Sequence, residues 1–299
     1  MNRFFGGDHV PTGRMLLDVA VRLVEKGHSV TALVSSDSYT DQNHSDSLPN
    51  GITVHRLYSF QKRWRIINWL LYWVQASYLI PFLKWSRCII LTDPPFLIAL
   101  APLIKLIKRN SKIYWWTMDL YPEALVSGQL MNVKNIIYRL LHSFNDLGIK
   151  FLDGVIVLGD SQKKRLMKYS NWSLVDKQSL VVPPWDNRTF AKNKSGINLL
   201  RHRLNLSNKR VILYAGNLGN AHSYKDIIKA AEICLNYKYE WVFLFVCRGK
   251  KKKELEKQSS NLNNIRIRDY VSPKDSASLL HLADCHLITM EDGWEGVVV

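Results

Sequence analysis

The fold class follows from Val211-Ile-Leu-Tyr-Ala-Gly-Asn-Leu-Gly-Asn-Ala-His222. Within it, five β-prone or apolar residues run into Gly216 and Gly219, and an apolar helical pattern follows. Ser223 and Asp226 have the spacing of a capping box, so the whole predicts a strand, a glycine turn and a helix start. In an open α/β sheet such a turn directs backbone N–H groups and the positive end of a helix dipole toward the end of the strand, which suits a phosphate. The structural alternative is a tight turn without a ligand.

The length of the chain limits the number of its domains, and its net charge indicates the classes of partner. Its 299 residues are enough for two α/β domains, since a typical domain has about 100 to 150 residues. Its 41 Lys and Arg against 25 Asp and Glu give a net charge of +16. This charge favours nucleic acid, anionic lipid headgroups or polyphosphorylated ligands as partners, and a general excess of solvated lysines is the alternative.

The sequence lacks the motifs of several reaction classes. The sequence has no G-x-x-x-x-G-K-[ST] for nucleotide hydrolysis, no G-x-G-x-x-G after a strand for dinucleotide redox chemistry, and no tight metal-ligand spacing among its nine histidines. Its basic residues are scattered and form no recognised nucleic-acid module, so we predict no nucleic-acid partner. The cysteines Cys88, Cys234, Cys247 and Cys285 lie far apart in apolar stretches. This is typical of buried thiols in a reducing cytosol.

The first half of the chain opens like a doubly wound domain. After the glycines Gly6 and Gly7, residues 11–15 predict the start of a helix capped by Thr12. A glycine after Lys26 ends that helix, and residues 28–34 predict the next strand.

Two carboxylates follow the apolar strand predicted over residues 112–117. Asp119 and Glu123 come directly after this strand. Continuous apolar strands are typical of the middle of a parallel sheet, and such sheets bind ligands at the carboxyl ends of their strands. We therefore expect both side chains at a ligand site.

These motifs resemble the retaining glycosyltransferases of family four, which have the GT-B fold. The segment "YAGNLGNAH" resembles the first strand and loop of the family's second domain, "PTG…L…GH.V" resembles the family's start, and "DLYPE" resembles the branch that builds surface polysaccharides such as O-antigen. The resemblance extends from about Phe4 to Met290. It implies two Rossmann-like α/β domains facing across a cleft, with residues 1–184 on the acceptor side and residues 185–299 on the nucleotide-sugar side.

The resemblance also implies a reaction and its residues. A sugar would move from a nucleoside-diphosphate donor to a lipid-linked or growing saccharide acceptor, with retention of configuration and no metal or other cofactor. The sequence also has no Asp-x-Asp pair for a metal. By this resemblance the catalytic residues are Asp119 and Glu123. The donor diphosphate is assigned to Gly216, Asn217, Gly219, Arg248 and Lys250, and the acceptor side of the cleft to Gly6, Gly7 and Thr12. For Arg248 and Lys250, solvated surface cations are the alternative.

Residues 62–87 combine tryptophans, cations and apolar residues. Between Asp46 and Asp93 there is no carboxylate, and residues 66–83 are mostly apolar. Asn68, Gln75 and Pro81 interrupt that apolar run, which is shorter than the roughly 20 residues of a typical span. A helix lying in an anionic headgroup interface, a buried connecting helix and a true span remain open. The first of these alternatives, a helix in the headgroup interface, predicts a peripheral protein at the cytoplasmic face of the plasma membrane.

Both ends of the sequence look cut. The family places a segment of the form P-S-K…E…A-x-G-x-P directly after the strand that ends near Met290, and this sequence lacks it. We therefore expect a fragment whose second domain is incomplete and whose own activity is uncertain. A nucleotide-sugar epimerase of the same fold and an inactive fragment that acts only as a binding protein are the alternative hypotheses.

Overall fold

The computed structural model describes residues 1–6, 11–36, 48, 50–60, 64–186 and 190–298. The chain divides into two compact units: unit 1 comprises Met1–Asn187 and Glu295–Val299, and unit 2 comprises Arg188–Trp294. The boundary predicted after residue 184 falls slightly early, because Trp185 is held by unit 1. Its indole stacks on Trp116 with ring centroids 5.5 Å apart, and its Nε1 donates a hydrogen bond of 3.1 Å to Asp18.

Unit 1 is an α/β unit with parallel strand pairs, as predicted. Strands β1 and β2 pair with each other, and the other four strands form a parallel sheet in the order β3-β4-β5-β6. Its elements are α1 (Pro11–Glu25), β1 (Val30–Ser35), β2 (Ile52–Leu57), α2 (Arg65–Leu79), β3 (Arg87–Ile90), a 3-10 turn (Leu97–Leu100), α3 (Ala101–Ile107), β4 (Lys112–Trp116), α4 (Glu123–Ser127), α5 (Ile136–Ile149), β5 (Gly154–Val157), α6 (Asp160–Leu166), two 3-10 turns (Trp172–Leu174 and Asp176–Gln178) and β6 (Ser179–Val181).

The backbone of Met1–Arg3 joins the two sheets of unit 1. The nitrogen of Met1 donates a hydrogen bond of 2.7 Å to the carbonyl of Ile89 in β3, and Asn2 N–H donates to the carbonyl of Leu33 in β1. A cavity of about 490 Å³ lies beside this segment, lined by α1, β1 and β3.

The main core of unit 1 lies between its sheet and a layer made of α2, α3 and α5. Tyr72 and Ala76 of α2, Ile104 of α3 and Ile149 of α5 are buried in one cluster. Tyr72 Oη also donates a hydrogen bond of 2.7 Å to the carbonyl of Leu33, so α2 is fixed to β1.

The last described residues pack on unit 1, which corrects their predicted place in the second domain. Val297 is buried, and its carbonyl accepts a hydrogen bond of 2.7 Å from Leu120 N–H. Gly296 has φ +69°, and a Cβ there would lie 2.5 Å from the backbone nitrogen of Gln162. Glu295 pairs with Arg165 at 3.7 Å. This short segment therefore lies against the start of α6 and the chain after β4.

Unit 2 has one parallel sheet in the order β10-β7-β8-β9. Apolar clusters cover both of its faces, with Phe243 and Phe245 of β8 on one face and Leu244 and Val246 on the other. This burial explains the continuous apolar composition of β8. Its elements are α7 (Lys194–Arg203), β7 (Arg210–Asn217), α8 (Lys225–Asn236), β8 (Trp241–Arg248), α9 (Lys252–Gln258), β9 (Ile265–Arg268), a 3-10 turn (Pro273–Asp275), α10 (Ser276–Leu282) and β10 (Cys285–His286).

Two predicted helix caps are wrong. Thr12 lies inside α1, which begins at Pro11, because proline is favoured in the first helical turn. Helix α8 begins at Lys225 with Tyr224 as its N-cap and no side-chain cap, so Ser223 and Asp226 form no capping box. Tyr224 is buried, and its φ of −132° lies outside the helical range.

Candidate functional site

Strand β4 delivers Asp119 to the carboxyl edge of the unit 1 sheet. The backbone before it is fixed, because Thr117 Oγ1 donates a hydrogen bond of 2.7 Å to Gln162 and Gln162 Nε2 donates one of 2.7 Å to the carbonyl of Met118. Asp119 is half-buried and lines a cavity of about 10 Å³ with Tyr121, roughly the volume that one water needs. Burial, and secondly the charge of Asp119, raises the pKa of Tyr121.

Glu123 lies in different surroundings, at the first position of α4. Its Oε1 accepts a hydrogen bond of 2.7 Å from Tyr169 Oη, and its buried Oε2 has no hydrogen-bond partner within the described residues. Burial, with the Glu123 charge second, raises the pKa of Tyr169 well above its ordinary value, so this hydroxyl keeps its proton. The ring of His142 stacks on Tyr169 at 4.0 Å. Glu123 therefore has one oxygen fixed by Tyr169 and one buried oxygen without a hydrogen-bond partner in the described residues.

The residues assigned to the acceptor side are only partly described. Gly7 lies outside the described residues. Gly6 is buried with φ +70°, and its N–H donates a hydrogen bond of 2.8 Å to the carbonyl of Gly13 in α1. A Cβ on Gly13 would lie 2.5 Å from the Gly6 carbonyl, so these glycines allow close packing of the chain on α1. Thr12 is half-buried on the same helix.

In unit 2, the carboxyl ends of β7 and β8 form a tight edge. Asn217 pairs with Arg248, and Leu218 N–H donates a hydrogen bond of 2.6 Å to the Arg248 carbonyl. Gly249 has φ +126°, and a Cβ there would lie 2.5 Å from the Leu218 carbonyl oxygen, so only glycine fits. At Gly216 a Cβ would meet only Tyr214 Oη at 4.0 Å, which leaves open space above the backbone.

The two predicted donor-site cations, Arg248 and Lys250, differ in their surroundings. Arg248 is exposed at the end of β8, and its guanidinium lies 4.7 Å from the ring centroid of Tyr270. Burial raises the pKa of Tyr270 and the charge of Arg248 opposes this shift. Lys250 is exposed in the turn after β8. The structure thus brings Asn217 and Arg248 together at one edge and places Lys250 just beyond it.

Sequence reasoning missed Lys251, the neighbour of Lys250. Lys251 Nζ donates hydrogen bonds of 2.7 Å to the His222 carbonyl and of 2.7 Å to Glu291 Oε1. It therefore ties the loop after β7 to the residues after β10. In the sequence, Lys251 is one of four consecutive lysines after β8, and nothing local indicates which of them makes a structural contact.

His222 is the last residue of the segment 211–222, and its carbonyl is one of the two acceptors of Lys251. Its Nδ1 is buried and has no hydrogen-bond partner in the described part of the chain. Burial lowers its pKa, and the charge of Lys251 lowers it further. A neutral imidazole with an unused nitrogen can accept or donate one further hydrogen bond.

Within the described ranges, no cluster of His, Cys, Asp or Glu has the composition of a metal site.

Helix α2 presents an apolar stripe outward. Ile66, Leu70, Val74 and Tyr78 follow one another at helical spacing and are 63–69% exposed. Trp73, by contrast, packs partly against the core. Lys62 and Arg63 lie outside the described residues. In the part of the chain that the structure describes, no helix is both long enough and apolar enough to cross a bilayer.

Comparison with curated proteins relates the chain to glycosyltransferases. It is 26% identical over 160 residues to the Escherichia coli (strain K12) protein WcaI, provisionally named a colanic acid biosynthesis glycosyl transferase, a match that covers 52% of this chain and 38% of WcaI. It is 25% identical over 224 residues to the probable glycosyltransferase WbjE of Pseudomonas aeruginosa, covering 70% of this chain and 51% of WbjE. The chain thus spans about half or less of these relatives. No protein-family model matches it.

Solved structures confirm the fold. Anabaena HepE in complex with UDP-glucose has a TM-score of 0.65 at 15% identity, covering 96% of this chain and 72% of HepE. WaaG, a glycosyltransferase involved in lipopolysaccharide biosynthesis, has a TM-score of 0.64 at 14% identity, covering 97% of this chain and 74% of WaaG. The α/β fold with Rossmann-like units of the GT-B type is therefore confirmed.

Proposed function

We propose that this chain belongs to a glycosyltransferase of cell-surface polysaccharide synthesis, which moves a sugar from a nucleoside-diphosphate sugar to a lipid-linked or growing saccharide acceptor. The similarity to WcaI and WbjE supports transfer of a sugar and favours it over the epimerase hypothesis. The UDP-glucose bound to HepE supports a nucleotide sugar as the donor. Retention of configuration, independence of metal, the family-four and O-antigen assignments and a cytoplasmic, peripheral location at the plasma membrane belong to the proposal.

The observation that carries the proposal is the β7–β8 edge of unit 2. There Asn217 of β7 pairs with Arg248 of β8, whose guanidinium lies over the ring of Tyr270, and the space above Gly216 is open. A departing diphosphate gains negative charge in the transition state, and fixed N–H groups and cations stabilise that charge without having to reorganise. Arg248 and the loop would hold the diphosphate. Lys251 would position the loop through the His222 carbonyl.

On the acceptor side, Glu123 offers the chemistry that a sugar hydroxyl needs. Tyr169 fixes Oε1, and the buried Oε2 would accept a hydroxyl hydrogen bond once substrate binding opens this part of unit 1. Asp119, at the carboxyl end of β4, would orient a second hydroxyl or the reacting sugar. Both roles are proposals for the substrate complex.

The test is UDP-glucose binding, measured by isothermal titration or by saturation-transfer NMR if the affinity is low. We expect Arg248→Ala to weaken binding about tenfold, or about 1.4 kcal/mol, since it removes a charge-assisted contact to the diphosphate. Lys209→Ala is the matched control, because it removes one positive charge from the opposite, amino-terminal edge of β7. Equal affinities of the two variants, or no binding by the unaltered chain, would contradict the proposed donor site.

The finer parts of the proposal have their own readouts. Turnover that survives EDTA would support independence of metal, and NMR of the product's anomeric configuration would show retention or inversion.

A further inference from the structure

Helix α5 carries a second exposed apolar stripe, outside the segment singled out in the sequence. The large apolar residues on its outer face are 49–64% exposed. They recur at helical spacing: Ile136, Ile137, Leu140, Phe144 and Leu147.

The inner face of α5 is fully engaged, so the outer stripe is a separate feature. A Cβ on Gly148 would lie 2.7 Å from the carbonyl of Ile98, which shows how closely α5 packs on the 3-10 turn before α3. Asn145 Nδ2 donates a hydrogen bond of 2.5 Å to the Tyr121 carbonyl, and Ile149 is completely buried. Rotation of α5 to hide its outer stripe would break these contacts.

The stripes of α2 and α5 face away from the same core. Both helices pack on the cluster that contains Tyr72 and Ile149, and α3 packs there as well. Leu106 of α3 is 71% exposed, and Ile107 is also exposed. All three helices of this layer therefore expose large apolar side chains. Large apolar patches on soluble proteins usually mark an interaction site.

The exposed charges in the part of the chain that contains these helices have one sign. From residue 64 to residue 150, a range that the structure describes throughout, every exposed charged residue is basic. These residues are Arg65, Lys84, Arg87, Arg109, Lys112, Lys134, Arg139 and Lys150. Lys112 is paired with Asp153, whereas Lys134, Arg139 and Lys150 lie just before, on and just after α5. The carboxylates of this range, Asp93, Asp119, Glu123 and Asp146, are all partly buried. Asp93 is paired with Arg3, and Asp146 accepts hydrogen bonds from Asn171.

We propose that the outer faces of α5 and α2 rest together on an anionic lipid bilayer, with α5 as a second membrane-contacting helix. Apolar side chains would enter the headgroup region and the surrounding cations would meet lipid phosphates. A protein partner would have to match the cations on and beside α5, and a second copy of this chain would oppose like charges there. The inference rests on the membrane association within the proposed function and adds α5 to it.

The test is flotation of the whole chain with vesicles of equal parts phosphatidylglycerol and phosphatidylcholine. One variant combines Leu140→Glu with Phe144→Glu in α5, and a second combines Leu70→Glu with Val74→Glu in α2. The matched control is Leu199→Glu, which changes a side chain of similar exposure, 60%, on α7 of unit 2. Far-ultraviolet circular dichroism checks that each variant folds, and Lys134→Gln with Arg139→Gln serves as an α5 variant that keeps the apolar stripe intact.

We expect the α5 and α2 variants each to lower the vesicle-bound fraction at least fivefold, and the control to change it less than twofold. The Lys134 and Arg139 variant should bind less tightly and depend less on salt. If the α2 variant loses binding while both α5 variants bind like the control, the role of α5 is overturned and the proposed membrane association stands. If no variant loses binding, both the role of α5 and the proposed membrane association are overturned. A dimer in solution that the α5 variant converts to a monomer, without vesicle binding, would identify a second copy as the occupant and also overturn the inference.

Discussion

Lys250 and Lys251 are adjacent in sequence and differ in what they hold. Lys251 donates to the His222 carbonyl and to Glu291, whereas Lys250 is exposed. Helical or strand periodicity gives no reason to prefer one of them, because their partners come from other parts of the chain. Tyr169, the partner of Glu123, was missed for the same reason, although the apolar strand before Asp119 did predict where that carboxylate lies.

The substitution Lys251→Met should therefore destabilise the chain, and Lys250→Met should not. Loss of a partly buried charged donor leaves the His222 carbonyl and Glu291 without their partner, which costs about 1–3 kcal/mol. An exposed lysine changes stability by less than about 0.5 kcal/mol. Urea unfolding followed by circular dichroism measures both free energies of unfolding. Equal values for the two variants would show that Lys251 is not a tie between the two loops.

At the scale of the element, strands were easier to predict than helix starts. Parallel strands are buried on both faces, so β4, β7 and β8 show continuous apolar composition that is visible in the sequence. The caps depend on single backbone angles. Ser223 has the right chemistry to cap α8, yet burial of the Tyr224 ring fixes the chain so that the helix begins one residue after Tyr224.

Asp153 joins three elements of unit 1. Its carboxylate accepts hydrogen bonds of 2.7 Å from Lys105 of α3, of 2.9 Å from Lys112 of β4, and of 2.9 Å from the N–H of Ile113. Burial alone would raise the pKa of Asp153, but these bonds more than offset it, and the pKa lies below its ordinary value. The unfolded chain therefore binds this proton more readily than the folded one, so the carboxylate stabilises the fold above its ordinary pKa.

We expect Asp153→Asn to lower the free energy of unfolding by about 1.5–3 kcal/mol at pH 7. The difference from the unaltered chain should shrink as the pH falls below about 4, where the carboxylate of the unaltered chain becomes protonated. Asp226→Asn is the control, because its side chain is 88% exposed and pairs with Lys229 at the surface. Urea unfolding at several pH values gives the comparison. A deficit that stays constant down to pH 2 would refute this role of the charge.

At the scale of the whole molecule, the sequence predicted the α/β class and two units, and it misassigned the residues after Trp294. The contact between Val297 and Leu120 joins distant parts of the chain, and no local pattern encodes such a contact. The direction in which the α5 stripe faces was also hidden, because an apolar stripe on a helix looks the same in sequence whether it faces a core or the solvent.

Because the net charge is +16, we expect the affinity for anionic vesicles to depend on the salt concentration. Because the Debye length falls from about 10 Å at 0.1 M salt to about 3 Å at 1 M, affinity for anionic vesicles should drop at least tenfold over this range. Vesicles of phosphatidylcholine alone should show little change. The measurement is vesicle co-sedimentation across the salt series. Affinity for anionic vesicles that does not depend on salt would remove the electrostatic part of the membrane proposal.

The backbone of Met1 to Arg3 has a practical consequence for anyone who designs shortened variants of this protein. Asn2 N–H donates to the Leu33 carbonyl of β1, and Leu91 N–H, just after β3, donates to the Met1 carbonyl. A variant that lacks these three residues would lose the hydrogen bonds that bridge the two sheets of unit 1.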